Sequence, residues 1–264
     1  MTQNTETSKT NQIKPLLVLI GGPSASGKTS LSRILQNGVE DQISEDLEYS
    51  LTARVMNLDD FYKNQSEKSM PERVKTNYDH PKAFEWELAI QQVKELIDRR
   101  TIKKPNYSFT EHTRLPETES VDPADIIIFE GIFALLNPEI NQMAGLRLYV
   151  DTRLTECLMR RAERDVRERG RTLDSVFKQW RKFVEPGYWK YILPTKEDSD
   201  FRFDWNLKEQ TERAERGTLA IIEKYFRTEL QRIESASYNS ISHLNENAEP
   251  EEINQILMST VHNP

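Results

Sequence analysis

The sequence predicts an α/β fold in which helices cover both faces of a parallel sheet. Short apolar runs rich in β-branched residues indicate strands at Leu16–Ile20, Ala53–Leu58, Ile126–Phe129 and Leu146–Val150. Amphipathic stretches indicate helices at Leu31–Gln36, Lys82–Arg99, Thr155–Glu168 and Leu173–Val184. Apolar strands that alternate with helices are typical of a parallel sheet buried on both faces.

The first strand leads directly into a phosphate-binding loop. The segment GPSASGKTS fits G-x-x-x-x-G-K-[ST], and it comprises Gly22, Pro23, Ser24, Ala25, Ser26, Gly27, Lys28, Thr29 and Ser30. Backbone N–H groups of such a loop surround a β-phosphate, Lys28 neutralises phosphate charge, and the Thr29 hydroxyl can bind Mg²⁺. A chance Gly/Ser-rich turn would lack the flanking strand and helix. The context therefore predicts a P-loop NTPase-type fold that binds a nucleotide.

Composition and charge narrow the possible functions. The 264 residues suit one α/β domain, and a formal net charge of −7 argues against a nucleic-acid partner. No apolar run reaches bilayer length, so no membrane partner is expected. The polar segment 1–14 is predicted to be a disordered N-terminus without a signal-peptide pattern. A single cysteine, Cys157, excludes an internal disulfide framework and fits a cytoplasmic location.

The second predicted strand ends in two consecutive carboxylates, within LDDFYK. Asp59 and Asp60 stand where the carboxyl end of a parallel strand faces the ligand crevice. Consecutive side chains point to different faces, so only one of the two can face bound phosphates. A carboxylate there can take a proton from an attacking hydroxyl. The alternative is that both residues only cap the following turn.

Residues 101–121, TIKKPNYSFTEHTRLPETESV, predict a β-hairpin insertion. The segment alternates weakly and is rich in Pro, Thr and aromatic residues, which disfavours a helix. The next strand, within DIIIFEG, ends in Glu130, which is expected to hold Mg²⁺ or its water opposite Thr29. A solvated strand end is the alternative for Glu130. The sequence contains no N-K-x-D motif and no D-x-x-G after this strand, which disfavours a GTPase.

Positive charge is concentrated in Arg153–Arg171, which holds seven arginines in nineteen residues. If this segment is helical, one face of the helix carries a stripe of four arginines: Arg160, Arg164, Arg167 and Arg171. Arg161 lies beside this stripe. Ion pairs with neighbouring acids explain part of this run. Phosphoryl transfer also needs cations that close over the γ-phosphate, and Gly170 provides a hinge. We therefore predict an Arg-rich helical lid at about 153–185 with two to four functional arginines.

The C-terminal region is less informative. Leu207–Glu234 has helical composition, and Ser235–Glu252 is predicted to be a linker or tail, followed by a short amphipathic piece at Ile253–Val261. The predicted organisation is thus one domain over 15–234 and a dispensable tail over 235–264. In the alternative, the tail packs on the core and supports the donor site.

Together these motifs identify a family. The chain resembles uridine kinase (uridine–cytidine kinase), the bacterial branch most closely, within the phosphoribulokinase/uridine kinase group of P-loop kinases. The resemblance extends from Pro15 to about Asp200 and rests on GPSASGKTS, DDFYKNQSEKSMPERVKTNYDHP, PNYSFTEHTR, IIIFEGI and MRRAERDVRERGRTLDSVFKQW, followed by VEP and LPTK. It implies transfer of the γ-phosphoryl group of ATP or GTP to the 5′-hydroxyl of uridine or cytidine in pyrimidine salvage. Mg²⁺ is the implied cofactor, and a homotetramer the implied assembly.

The resemblance also implies roles for individual residues. Asp59 matches the general base, and Asp79 in NYDHP matches the carboxylate that binds the ribose hydroxyls. Tyr107 and His112 match the hairpin residues that read the pyrimidine. Three further matches to nucleoside contacts are Arg161, Arg171 and Gln179. The lid arginines matched to the donor phosphates, which act with Lys28, are Arg164 and Arg169.

The chain departs from the family pattern in three places. Ser108 stands where many relatives have Asp, and Trp180 replaces the usual Tyr after Gln179. After Asp200, DFRFDWNLKEQTERAERG replaces an apolar strand, a Pro-Arg-Gly-type loop and a final helix. Two alternatives stay open: a related kinase acting on another small hydroxyl compound, and a nucleotide-binding regulatory protein without turnover.

Overall fold

A five-stranded parallel sheet lies at the centre of the computed structural model, which describes residues 13–205 and 208–244. Its strands are β1 (Leu16–Gly21), β2 (Ala53–Asn57), β5 (Ile126–Glu130), β6 (Leu146–Val150) and β7 (Phe201–Phe203). They are ordered β2-β5-β1-β6-β7, and each neighbouring pair is parallel. The predicted α/β fold with a parallel sheet is confirmed.

Helices cover both faces of this sheet. Their bounds are α1 (Lys28–Gly38), α2 (Ser44–Leu47), α3 (Met70–Arg73), α4 (Trp86–Ile97), α5 (Pro138–Met143), α6 (Leu154–Arg169), α7 (Leu173–Gln179), α8 (Glu185–Gly187) and α9 (Lys208–Leu244). Along β1, Leu19 belongs to a core cluster with Val93 of α4, whereas Ile20 belongs to a second cluster with Phe226 of α9. Successive strand residues point to opposite faces, so one strand supports two cores.

Two predicted helices have different ends in the structure. The helix predicted from Lys82 begins at Trp86, because Pro81–Ala83 forms a separate 3-10 turn and Phe84 is extended. The helix predicted over Leu173–Val184 is α-helical only to Gln179 and continues as a π-helical turn.

The helix α6 ends before Arg171. Gly170 adopts a left-handed conformation, with φ of 63°, and stops α6 at Arg169. The Arg171 N–H then donates to the Asp165 carbonyl oxygen at 3.1 Å, so the chain folds back on the helix. Arg171 therefore does not extend the helical arginine stripe, and that part of the prediction is wrong.

The predicted hairpin insertion is present as an antiparallel pair, β3 (Ile102–Ser108) and β4 (Thr113–Val121). Its register shifts between Pro105 and Tyr107. Proline has no N–H to donate to a strand partner, so such an irregularity is expected beside it. The pair forms its own two-stranded sheet beside the central one.

The region after Asp200 differs from the sequence expectation in two ways. Phe201–Phe203 forms the edge strand β7, although no strand was predicted there, and Phe203 is fully buried. The helix α9 continues to Leu244, so residues 235–244, predicted to be linker, are helical. The Ser235 hydroxyl donates to the Gln231 carbonyl oxygen within this helix at 2.8 Å, and the first later proline is Pro250.

The two ends of the described chain bear on the predicted boundaries. Ile13 is buried, and the Lys14 carbonyl oxygen accepts a hydrogen bond from Tyr225 at 3.1 Å, so residues 13 and 14 pack against the rest of the fold. The rest of the predicted disordered N-terminus, 1–12, lies outside the described residues, as do 245–264 with the amphipathic piece Ile253–Val261. Within the described part, no helix combines the length and apolarity needed to cross a membrane.

Candidate active site

The phosphate-binding loop bends from the end of β1 into the start of α1. The backbone at Gly27 has φ of +108°, a conformation that side-chain-bearing residues rarely adopt. The Lys28 ammonium is buried and donates to the Pro23 carbonyl oxygen at 2.8 Å. Burial lowers the pKa of Lys28, against the attraction of Glu130 and Asp59. The Lys28 ammonium thus closes the loop on itself.

A cavity of about 810 Å³ opens above this loop. Its lining includes the loop residues Ser24 to Ser30 and the side chains of Asp59, Asp60, Glu130, Arg160, Arg164, Arg169 and Trp205. Of the predicted loop ligands, Gly22 and Pro23 are outside the lining. The volume falls within the range of ligand pockets, about 300–1,000 Å³. We call it the donor cavity.

Two oxygen-bearing side chains face each other in the donor cavity. The Thr29 hydroxyl, in the first turn of α1, donates to the Glu130 carboxylate at the end of β5 at 2.7 Å. Burial raises the pKa of Glu130, while Lys28 and the Thr29 hydrogen bond act in the opposite direction. A hydroxyl and a carboxylate supply the hard oxygen ligands that Mg²⁺ prefers, so this pair fits the ion.

The two consecutive carboxylates have different surroundings. Asp59 and Asp60 lie in a 3-10 turn, Leu58–Phe61, that follows β2. The Asp60 carboxylate accepts a hydrogen bond from the Lys104 ammonium of β3 at 2.5 Å. Asp60 also lines the donor cavity, whereas Asp59 lines both the donor cavity and a second, adjoining cavity. Asp60 is therefore engaged by the hairpin, and Asp59 is the carboxylate that stands between the two cavities.

The second cavity, which we call the acceptor cavity, is small. Its lining includes all six residues matched to nucleoside contacts: Asp79, Tyr107, His112, Arg161, Arg171 and Gln179. Its volume is about 50 Å³, whereas ligand pockets usually measure about 300–1,000 Å³. The Arg169 guanidinium lies 4.0 Å from the Phe109 ring centroid, which joins the lid to the hairpin above this cavity. A ligand of ordinary size would therefore need these walls to move apart.

Three polar atoms of residues that line the acceptor cavity are buried without a hydrogen-bond partner among the described residues. They are Oδ2 of Asp79, the hydroxyl of Tyr107 and Nε of Arg161. Leaving such a group unpaired costs about 1–3 kcal/mol. Burial also raises the pKa of Tyr107, which keeps its hydroxyl protonated at neutral pH. An acceptor and a donor are thus both available to a polar ligand.

His112 lies in the turn of the hairpin with a left-handed backbone, φ of 53°. Its ring stacks on Tyr78, with centroids 5.5 Å apart, and its carbonyl oxygen accepts from the Tyr78 hydroxyl at 3.2 Å. Burial lowers the pKa of His112, and the charges of Arg171 and Arg169 lower it further. The ring is therefore neutral at pH 7. A residue held in a sparsely populated conformation often belongs to a functional site.

The arginines of the predicted lid divide by environment. Arg161 is buried and donates to the Ser24 hydroxyl at 2.7 Å and to Gln179 Oε1 at 3.0 Å. Arg171 also donates to Gln179 Oε1. Arg164 and Arg169 line both cavities. Arg167, by contrast, has a side chain 66% exposed and paired with Glu163 and Glu168, so it belongs to the solvated face.

Sequence reasoning missed Trp205 as part of the donor cavity. A Cβ added to Gly27 would lie 1.6 Å from Nε1 of Trp205, so the indole lies directly across the phosphate-binding loop. The ring follows β7 and contacts Phe203 edge-on, with centroids 6.5 Å apart. Trp205 stands two residues after the end of β7, at the edge of the sheet where ligands bind. Its position in the sequence would have indicated a role in the site only if β7 had been recognised as a strand.

A family model and individual relatives both match this chain, and they name the same family. Residues 17–212 match the model of the phosphoribulokinase / uridine kinase family. The uridine kinase of Ligilactobacillus salivarius (strain UCC118) is 42% identical over 187 residues, 71% of this chain and 84% of that protein. That of Aliivibrio fischeri (strain MJ11) is 40% identical over 185 residues, 70% of this chain and 84% of that protein.

Among solved structures, a protein from Silicibacter sp. TM1040 described as a candidate fructose transport system kinase has a similar fold. It superposes with a TM-score of 0.58 at 17% identity and covers 73% of this chain and 91% of its own. This likeness concerns the fold alone.

Proposed function

Because the chain belongs to the phosphoribulokinase/uridine kinase family, we propose that it transfers the γ-phosphoryl group of ATP or GTP to the 5′-hydroxyl of uridine or cytidine. The products are UMP or CMP, in pyrimidine salvage. The observation that carries the proposal is the position of Asp59, between a cavity built on the phosphate-binding loop and a cavity with unpaired polar atoms on Asp79 and Tyr107.

The acceptor cavity suits a pyrimidine riboside. A ribose diol offers two hydroxyl donors, and Asp79 Oδ2 is a buried acceptor without a partner. The Tyr107 hydroxyl and the neutral His112 ring supply hydrogen bonds to the edge of a base. Arg161 links Asp79 to the loop residue Ser24, at 3.4 Å and 2.7 Å respectively, and so holds the ribose end near the phosphates.

The donor cavity suits the triphosphate of ATP or GTP. Loop N–H groups and the start of α1 bind phosphate oxygens, and Lys28 lies beneath them. Arg164 and Arg169 face the same space from the lid, where they stabilise charge on the transferred group. Thr29 and Glu130 would hold Mg²⁺, which when bound withdraws charge from the phosphates.

The proton of the acceptor hydroxyl goes to Asp59. As the bond from O5′ to the γ-phosphorus forms and the bond from that phosphorus to the bridging oxygen breaks, the 5′-oxygen loses its proton. Asp60 cannot serve equally, because its carboxylate is held by Lys104. Closure of the Arg169–Phe109 contact over the acceptor cavity excludes water, which would otherwise accept the phosphoryl group.

We also propose a cytoplasmic location and a homo-oligomeric assembly. A nucleotide donor and a single cysteine, Cys157, which is buried, support a cytoplasmic enzyme. A homo-oligomer is expected from the family alone.

A panel of acceptors tests the proposal. Purified protein with Mg·ATP should phosphorylate uridine and cytidine, and adenosine at least about tenfold more slowly in kcat/KM, because the hairpin reads a pyrimidine edge. 2′-Deoxyuridine should have a raised KM, since it offers Asp79 one hydroxyl donor fewer. A preference for purine ribosides, or for a non-nucleoside alcohol, would refute the proposal.

A further inference from the structure

A single buried carboxylate lies at the centre of the lid arginines. Asp165 of α6 is fully buried, and its two oxygens have different partners. Oδ1 accepts from Arg164 at 3.0 and 2.8 Å and lies 3.6 Å from Arg169. Oδ2 lies 3.6 Å from Nε of Arg161 and 3.7 Å from Nη1 of Arg171.

This division matches the two cavities. The partners of Oδ1, Arg164 and Arg169, line the donor cavity and reach the acceptor cavity. The partners of Oδ2, Arg161 and Arg171, line the acceptor cavity and not the donor cavity. Oδ1 of Asp165 is therefore bound to arginines that line both cavities, and Oδ2 lies near arginines that line the acceptor cavity alone.

The charges explain why this carboxylate is needed. Burial alone would raise the pKa of Asp165, but the attraction of Arg161, Arg164 and Arg169 outweighs it and lowers the pKa. Burial, together with the charge of Arg164, lowers the pKa of Arg169. Four guanidinium groups thus share this region with three carboxylates, Asp165, Asp79 and Asp59. The excess positive charge is suited to an anionic ligand such as a polyphosphate.

The acceptor-side contacts of Asp165 are incomplete. Oδ2 of Asp165 and Nε of Arg161 are both buried without a hydrogen bond, although they are 3.6 Å apart. Shortening this distance by under about 1 Å would give a charge-assisted hydrogen bond. Because the carboxylate is planar, a rotation that closes Oδ2 on Arg161 also moves Oδ1 and the guanidinium of Arg164.

We propose that Asp165 is a positioning residue that couples the two cavities, so that a nucleoside on the acceptor side orders the donor-side arginines and tightens the binding of the nucleotide. The inference rests on the proposed function, because it takes a nucleoside and a nucleotide as the two ligands. Asp165 acts through the arginines and touches neither ligand.

Calorimetric titration measures this coupling directly. The Kd of a non-hydrolysable ATP analogue with Mg²⁺ is determined for the intact protein with and without saturating uridine. Uridine should lower this Kd by about fivefold or more, the lower end of ordinary coupling between sites, and the analogue should lower the Kd of uridine by the same factor. In Asp165→Asn the factor should fall towards one. Asp174→Asn is the matched control, because Asp174 lies on the next helix, α7, with a side chain 75% exposed and paired with Lys178.

Each outcome decides the inference. Full coupling in Asp165→Asn, or no coupling in the intact protein when both ligands bind, would overturn it. If the intact protein does not bind uridine at all, the proposed function fails instead, so the two failures are distinct. If Asp165→Asn does not fold, Asp165→Glu decides: it keeps the charge but displaces it by one methylene. A folded Glu variant should show reduced coupling, and unchanged coupling there would refute the role.

Discussion

Replacing each of the two consecutive carboxylates by its amide should separate catalysis from stability. Asp59→Asn removes the proton acceptor between the two cavities and changes the side-chain shape little. A positioned general base contributes about 10²- to 10⁴-fold to the rate. At about 1.36 kcal/mol per tenfold change, this corresponds to about 2.7–5.4 kcal/mol of activation free energy. We expect kcat to fall by about a hundredfold or more, with thermal unfolding and nucleotide binding unchanged.

Asp60→Asn is the matched control with the opposite pattern. The change weakens the ion pair with Lys104, in which the side chains of Lys104 and Asp60 are only 9% and 19% exposed. Removing a partner from a fully buried pair costs about 3–5 kcal/mol. Glu119 remains 3.2 Å from Lys104, so we expect a smaller loss, about 1–3 kcal/mol. At this chain length each kcal/mol lowers the unfolding temperature by about 2–4 °C, while kcat should stay within a few-fold.

The assay is ADP release with uridine as acceptor, run beside thermal unfolding of both variants. The reasoning is refuted if kcat falls equally in Asp59→Asn and Asp60→Asn. It is also refuted if Asp59→Asn keeps more than a tenth of the turnover. Either result would mean that another group takes the proton of the hydroxyl.

Three further predictions concern the walls of the two cavities. Tyr107→Phe and His112→Ala should each raise the KM for uridine far more than that for ATP, since a lost partner to a buried base edge costs about 1–3 kcal/mol; equal changes in both constants would place the acceptor elsewhere. Because burial lowers the pKa of His112, the neutral ring persists below its usual value of about 6.5. The kcat/KM for uridine should therefore hold between pH 8 and 6.5 and decline only as the pH falls through the lowered pKa, and a decline centred above 6.5 would contradict this. Trp205→Ala should raise the KM for ATP at least about fivefold, because the indole is a wall of the donor cavity against Gly27 and truncating an aromatic anchor of a binding site commonly costs more than about 1 kcal/mol. Trp189→Ala, at an exposed tryptophan, should not raise it, and equal effects would remove Trp205 from the donor site.

The parts of the site that could be predicted from sequence depend on local geometry. The phosphate-binding loop is one continuous segment between a strand and a helix, so its motif specifies its shape. Thr29 and Glu130 are distant in sequence, but each lies at the carboxyl-terminal edge of one parallel sheet, and β1 and β5 are neighbours. Their contact therefore follows from the fold class. The hairpin was predictable because the composition of residues 101–121 disfavours a helix.

The parts that were missed depend on tertiary packing. The strand β7 has three residues, too few for a periodic signal, and it exists because β6 offers an unpaired edge. Trp205 reaches the phosphate-binding loop only because β7 returns the chain to that edge. Arg161 and Arg169 each lie four residues from Asp165. The sequence alone therefore indicates only ordinary ion pairs along one helix. The full burial of Asp165 and its place between the cavities follow from the packing of α6, which the sequence pattern does not specify.

Direct detection of the product tests the central claim. Purified protein is incubated with uridine and Mg·ATP, and the nucleotides are separated and identified by mass, with the phosphorylated position determined by ³¹P–¹H correlation. The account predicts UMP phosphorylated at the 5′ position, formed in equal amount with ADP and nearly absent with Asp59→Asn. Binding of ATP without any UMP would indicate a regulatory nucleotide-binding protein, and phosphorylation of another hydroxyl compound in preference to uridine would contradict the assignment of the acceptor cavity.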